Sequence, residues 1–291
     1  MSFFKTLAIS GAALCVLAAG PAATLAQVPQ GGNTPQPAAP ASGPTYADLA
    51  TLSDAAELVV RVQIRKTTAL RPERAPNVAP GFARLYVEAQ TLALIAGRSG
   101  VGGAVTYLVD VPLDPKGKVP KLKKREFLLF AKSVPGRAGE LQLIAPAAQL
   151  DYTPALEARV RPILTELYAK DPAPRITGVS DALAVPGTLT GESETQIFLT
   201  TENRSPVSIT VLRRPGQRPQ WGVSWGEIID SAARPPSPET LRWYRLACAL
   251  PAQLPSSANL SREAAERRLA AGDYAFVRQS LGPCERRITQ G

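Results

Sequence analysis

The chain is 291 residues long, carries a formal net charge of +9, and is 45% hydrophobic with 20% charged residues. That balance excludes disorder or a coiled coil for its bulk. There is no histidine, and the cysteines are Cys15, Cys248 and Cys284, so Ser-His-Asp triads, Cys-His dyads, His-ligated zinc and His general bases are excluded together.

The first 26 residues read as an export signal. Lys5 gives a positive start, Leu7 to Ala19 is apolar apart from Ser10 and Gly11, and Thr24-Leu25-Ala26 offers small residues where a signal peptidase cuts, before Gln27. A membrane span needs about 20 apolar residues, and Gly20-Pro21 ends this run earlier. The expected mature protein is periplasmic, without a membrane span. In that oxidising space Cys248 and Cys284 are the remaining thiols, and a Cys248 to Cys284 disulfide is predicted.

Residues 27–45 are rich in Pro and Gly and carry no charge, the composition of a disordered linker. Structure is expected from Tyr46, in two domains, 46–170 and 171–291. In the first, Leu58, Val60, Val62 and Ile64 alternate with Val59, Arg61, Gln63 and Arg65, the period of a half-buried strand. Further strands are predicted over Ala83 to Ala96, Ala104 to Val111, Glu126 to Lys132 and Leu141 to Ala145, bounded by Gly or Pro turns. Thr153 as N-cap and Pro154 at the first helical position open a helix with Leu156, Val160, Ile163, Leu164 and Leu167 on one face. Five short strands and one helix suggest a small closed barrel of the OB kind.

The run Ser53 to Ile64, then Arg84 to Gly97, Val105 to Val111 and Lys124 to Phe130 resembles the netrin and tissue-inhibitor (TIMP-like) barrels of exported proteins, over residues 46–150. Metalloprotease inhibition in that family depends on a cysteine at the mature N-terminus. Gln27 stands there and the barrel has no cysteine, so the resemblance does not carry that activity over. Taken whole, the chain is similar to a set of exported alphaproteobacterial proteins, which implies a compartment and no activity.

The second domain begins with strands over Thr195 to Thr201, Val207 to Arg213 and Gln220 to Ile229, joined by turns at Asn203 to Pro206 and Pro215 to Gln217. Ser237 with Pro238 is expected to start a helix carrying Leu241, Tyr244 and Cys248 on one face. Ser261 is expected to cap a second helix, which Gly272-Asp273 breaks, and Gly282-Pro283 ends the last one before Cys284. The fold class is therefore α+β: an OB-like barrel with a closing helix, then a smaller domain of antiparallel strands and C-terminal helices stapled by the disulfide.

Chemistry concentrates in few places. Lys116, Lys118, Lys121, Lys123, Lys124 and Arg125 form a cationic segment without an acid, just before the aromatic strand Phe127 to Phe130. It reads either as a site for a polyanion or as a solvated loop guarding a strand edge. Export turns attention from nucleic acid to an anionic envelope component or an acidic protein. Trp221, Val223 and Trp225 are spaced by two and share one strand face; the tryptophans form a platform for a sugar or apolar ligand, or fill a core.

Glu192, Glu194 and Glu202 sit beside a turn, Gly97 to Gly103 opens no helix that would cradle phosphate, and Asp110 with Asp114 is too sparse for a hard cation. A Ser-x-x-Lys match at Ser2 to Lys5 lies within the signal. No catalytic residue, metal site or cofactor is assigned, and the chain reads as a non-enzymatic binding or accessory module. The alternative is an envelope-acting hydrolase that uses carboxylates, Ser or Lys alone.

Overall fold

The computed structural model describes residues 43–98, 100–228 and 232–289; the expected signal over 1–26 and the linker up to residue 42 lie outside them. Thr45 opens the first helix, α1 (Tyr46–Ala55), through a capping box: its hydroxyl accepts from the Asp48 amide at 3.1 Å and its own amide donates to the Asp48 carboxylate at 2.8 Å. No helix is expected here from the sequence pattern. Ala47, Asp48, Leu49, Ala50, Leu52 and Ser53 are all buried, so the helix is covered on most sides and has no apolar stripe for periodicity to detect.

The barrel follows. β1 (Leu58–Ala69) pairs antiparallel with β2 (Phe82–Gly97), which pairs with β3 (Ala104–Pro112). β4 (Glu126–Ser133) pairs with β1 and with β5 (Glu140–Leu143), and β5 runs parallel to β3. The order β1-β2-β3-β5-β4-β1 closes a five-stranded barrel of OB-like topology, and β6 (Gln149–Asp151) pairs with Phe127 to Leu129 of β4, on the edge that β5 shares further along the strand. Register shifts in β1 at Val59/Val60, Arg61/Val62 and Ile64/Lys66 bend it around the circumference, so one strand serves two neighbours.

Alternation explains the interior. Val60, Val62, Ile64, Leu85, Val87, Tyr107, Val109, Phe127 and Leu129 point inward and are buried. β4 is buried on both faces, because Leu128 and Phe130 turn outward into a second apolar cluster with α1 and α2 (Pro154–Leu167). Phe127, Leu129 and Phe130 are core. Thr153 caps α2 as expected, accepting from the Leu156 amide at 3.0 Å.

That outer cluster continues into the second half of the chain, reaching Ile197, Ile209 and Trp221, and the described residues belong to one compact unit. β7 (Ile176–Pro186), β8 (Ser193–Thr201), β9 (Val207–Arg213) and β10 (Gln220–Ser224) make an antiparallel meander, β10-β9-β8-β7. β7 was not foreseen: Gly178 and Asp181 interrupt its alternation at two register shifts. β10 stops at Ser224, short of Ile229, which lies outside the described residues.

Two helix starts need correction. α3 (Leu241–Ala247) is capped by Thr240, whose hydroxyl accepts from the Trp243 amide at 3.2 Å; Ser237 does not cap it, and Glu239 at φ 55° turns the chain in between. α4 (Ala264–Leu281) starts after Glu263, and Ser261 instead accepts from the Ala184 amide at 3.1 Å, tying the connection to β7. Gly272-Asp273 does not break α4. Asp273 is fully buried and accepts from Thr195 and Arg213 of the sheet at 2.5 and 2.6 Å, so a residue with poor helix propensity is retained by tertiary bonds. Gly282 ends the helix with φ 74°.

The Cys248–Cys284 disulfide is present, with Cα atoms 5.1 Å apart, joining the C-cap of α3 to the segment that follows α4 after Gly282-Pro283. Among the described residues no helix is long and apolar enough to cross a membrane.

Candidate functional site

The 113–125 connection crosses one end of the barrel and is built from its own backbone. Asp114 accepts from the amides of Lys116 and Lys118, each at 2.8 Å, while the Gly117 amide donates to the Asp114 carbonyl at 2.8 Å. Gly117, at φ 71°, supplies the left-handed residue that this turn requires. The Asp114 carboxylate is thus occupied with turning the chain.

Leu122 is buried in the barrel cluster and Val119 packs beside it, so the loop is anchored by an apolar plug. Past Leu122 the chain pairs with β1: the Lys124 amide donates to the Ile64 carbonyl at 2.8 Å, and the Ile64 amide to the Arg125 carbonyl at 3.0 Å. Between these anchors Lys116, Lys118, Lys121, Lys123 and Lys124 are exposed, and among the described residues none of them has an ion-pair partner. Arg125 differs from them. It pairs with Asp151 and lies 5.2 Å from the centre of the Phe127 ring, so the sixth expected cation is engaged.

Register adds what sequence order hides. The Leu113 amide donates to the Gly81 carbonyl at 2.8 Å and Phe82 pairs with Pro112, which brings the 70–81 connection to the same end of the barrel. Its Arg71 and Arg74 are exposed and extend the cationic surface. The Arg and Pro content of 71–80 was the available signal, but only the β2–β3 pairing makes it a neighbour of the lysines.

A cavity of about 850 Å³ starts beside this end and runs along β3, lined among others by Arg74, Arg84, Tyr86, Leu108, Arg137 and Leu143. Arg84 forms a bidentate pair with Asp110 at 2.7 and 2.8 Å, and Arg137 pairs with Glu140 at 3.1 Å. Sequence reasoning passed over Tyr86 and Leu108, whose half-exposed side chains face each other across the β2–β3 ladder.

The two tryptophans are not brought to one surface. Trp221 is buried against α4, where its indole N–H donates to Ser280 Oγ at 2.8 Å. Trp225 follows the end of β10, half-buried, with the Arg242 guanidinium 5.5 Å from its ring centre. They line separate cavities of about 470 and 640 Å³. Opposite them, a Cβ on Gly222 would lie 2.3 Å from the Ala233 carbonyl oxygen, so the glycine admits a second backbone.

Glu192, Glu194 and Glu202 have separate occupations. Glu192 accepts from the Leu189 amide, Glu194 from Gln196, and Glu202 pairs with Arg175. Among the described residues no three of His, Cys, Asp and Glu gather as metal ligands. No protein-family model and no curated protein matches the chain.

Proposed function

We propose that this is an exported, periplasmic, non-enzymatic binding module that holds an anionic partner on the cationic end of its barrel. The observation that carries this reading is the set of five exposed lysines on a loop held by Asp114, Leu122 and β1. Cations that the fold does not use for pairing are displayed from an ordered support, which lowers the entropy that binding must overcome. The partner is an anionic envelope component or an acidic protein.

The contact is electrostatic and is screened within about 8 Å at physiological ionic strength. The variant Lys121→Gln/Lys123→Gln/Lys124→Gln is expected to elute from a heparin or lipopolysaccharide matrix at much lower salt than the parent, with its thermal midpoint nearly unchanged. Co-elution with the parent would overturn the reading. Export is tested separately: N-terminal sequencing of the periplasmic fraction should begin at Gln27.

A further inference from the structure

The barrel closes between β3 and β5 over a very short ladder. Their parallel pairing covers Thr106↔Glu140 and Tyr107↔Leu141 and then ends. β3 continues to Pro112, and from Leu108 onward its ladder partners belong to β2 alone. On the other wall, the segment after β5 turns toward β4: the Ile144 amide donates to the Phe130 carbonyl at 3.2 Å and the Phe130 amide to the Ala148 carbonyl at 2.9 Å. The two walls diverge, and the cavity of about 850 Å³ lies between them, lined by Leu108 to Asp110 on one side and Leu143 to Pro146 on the other.

The direction of the open backbone groups follows from alternation along the strand. The Thr106 amide donates across the seam to the Gly139 carbonyl at 2.8 Å, so Thr106, Leu108 and Asp110 present their backbone to the seam while Tyr107, Val109 and Val111 present theirs to β2. The Leu108 carbonyl and both backbone groups of Asp110 therefore face the cavity, with no ladder partner on that side among the described residues. The barrel interior is closed beneath them by Tyr107, whose hydroxyl donates to Gln149 at 2.7 Å, so the cleft opens outward.

An exposed edge of this kind matches one sort of occupant, because only an extended polypeptide carries alternating N–H and C=O groups at the strand repeat of about 3.3 Å per residue. Charge narrows the choice further. β3 runs straight from this edge into the 113–125 loop, so a segment laid along Leu108 to Pro112 continues past Lys116 and Lys118, with Arg74 also lining the cleft. Tyr86 and Leu108, 38% and 47% exposed, offer an apolar step beside the edge.

We propose that this seam is a strand-accepting site: an extended acidic segment of a partner protein pairs with the free edge of β3 and lays its carboxylates against the lysines of the 113–125 loop. This rests on the proposed function and names its partner as a polypeptide.

The probe is an alternating Glu-Val peptide of about ten residues, read by fluorescence anisotropy against the mature protein and compared with the same peptide N-methylated at alternate residues. N-methylation keeps every charge and removes the donors needed for strand pairing. The unmodified peptide is expected to bind at least about tenfold more tightly, and to slow hydrogen exchange of the Asp110 amide. The variant Asp110→Pro, which removes the edge N–H, should lose the same factor, while Asp110→Ala, which removes only the Arg84 ion pair, should not.

Equal binding of both peptides with no protection at Asp110 would overturn strand addition and leave the anion-binding reading standing. Absence of peptide binding even at low salt would overturn strand addition, while elution from the heparin or lipopolysaccharide matrix decides the anion-binding reading by itself. A dimer in sedimentation that Asp110→Pro dissociates would also overturn the proposal, by assigning the edge to a second copy. If Asp110→Pro fails to fold, the N-methylated peptide and the exchange of Asp110 in the parent protein still decide.

Discussion

Charge is gathered in two regions of this molecule, with opposite results. Where α1, α3 and the C-terminal segment meet, every buried charge is answered. Asp54 accepts from Arg245 at 2.7 and 2.9 Å and from Arg175 at 2.9 Å. Asp48, fully buried, accepts from the amides of Thr45, Arg287, Ile288 and Thr289 and from the Thr289 hydroxyl. At the end of the barrel, five lysines stand on an ordered loop with no ion-pair partner among the described residues. Buried charge without a partner costs several kcal/mol, so the interior must be satisfied by the fold itself, whereas exposed charge carries no such demand and stays available to another molecule. Pairing, more than density of charge, separates structure from candidate function here.

That contrast can be broken most forcefully in the helical junction. Replacing both Cys248 and Cys284 by serine opens a bridge with a sequence separation of 36, and the chain-entropy model then predicts a loss of about 4 kcal/mol, measured by urea unfolding of oxidised protein against the variant. Anion binding should survive in whatever fraction remains folded, since the loop is anchored to the barrel.

Arg245→Ala is expected to cost about 3 kcal/mol in the same assay, because its 7%-exposed side chain leaves Asp54 partly unanswered. Arg175→Ala, at a half-exposed position on the same carboxylate, should cost about 1 kcal/mol or less. Equal losses would show that burial does not set the value of these pairs.

The Asp48 carboxyl gives the contrast a pH axis. Burial alone would raise its pKa, but the hydrogen bonds from Thr45, Thr289, Arg287 and Ile288 outweigh burial and hold it well below the ordinary 3.8. For Asp54, burial is likewise overcome by Arg245 and Arg175. A carboxyl depressed in the folded state contributes stability that is fully present above its unfolded pKa and lost as pH falls through the folded value. Unfolding free energy should therefore be flat near neutrality and fall below about pH 4. Asp48→Asn should be less stable at pH 7 by about 1–3 kcal/mol, with a shallower acid slope. An unchanged slope would remove Asp48 from the acid response.

The smallest stability effect belongs to the lysines. The Lys121, Lys123 and Lys124 to glutamine variant should change stability by less than about 0.5 kcal/mol while shifting the salt at which the protein leaves an anionic matrix. A large loss of stability would mean that the lysine stems pack against the barrel, and the two regions would no longer differ in kind.

Much of the architecture is local enough to be legible in sequence. Alternation marked β1, because one face of it lines the barrel, and Gly or Pro turns bounded β2, β3 and β4. The Thr153-Pro154 start of α2 depends on neighbouring residues alone, as does the turn chemistry of Gly and Pro. The lysine loop was visible as a charge run, and Cys248 and Cys284, the only cysteines after the expected signal, made the disulfide a matter of elimination within an expected oxidising compartment. What escaped was decided by partners distant in sequence. α1 is invisible to periodicity because β4 and the helices cover it almost all round. α4 runs through Gly272-Asp273 because Thr195 and Arg213 receive the aspartate. Trp221 and Trp225 part company because β10 ends between them.

The sequence by itself determined the α+β class, the inward faces of the barrel strands, the cysteine pair and the position of the cationic loop, since composition, period and short-range turn chemistry carry those. Only the tertiary structure decided that the 70–81 and 113–125 connections share one end of the barrel, that Arg125 is paired while the loop lysines have no ion-pair partner among the described residues, and that β3 ends beside an open seam. Register and strand order set those relations, and they depend on hydrogen bonds between residues far apart in the chain, which no local pattern encodes.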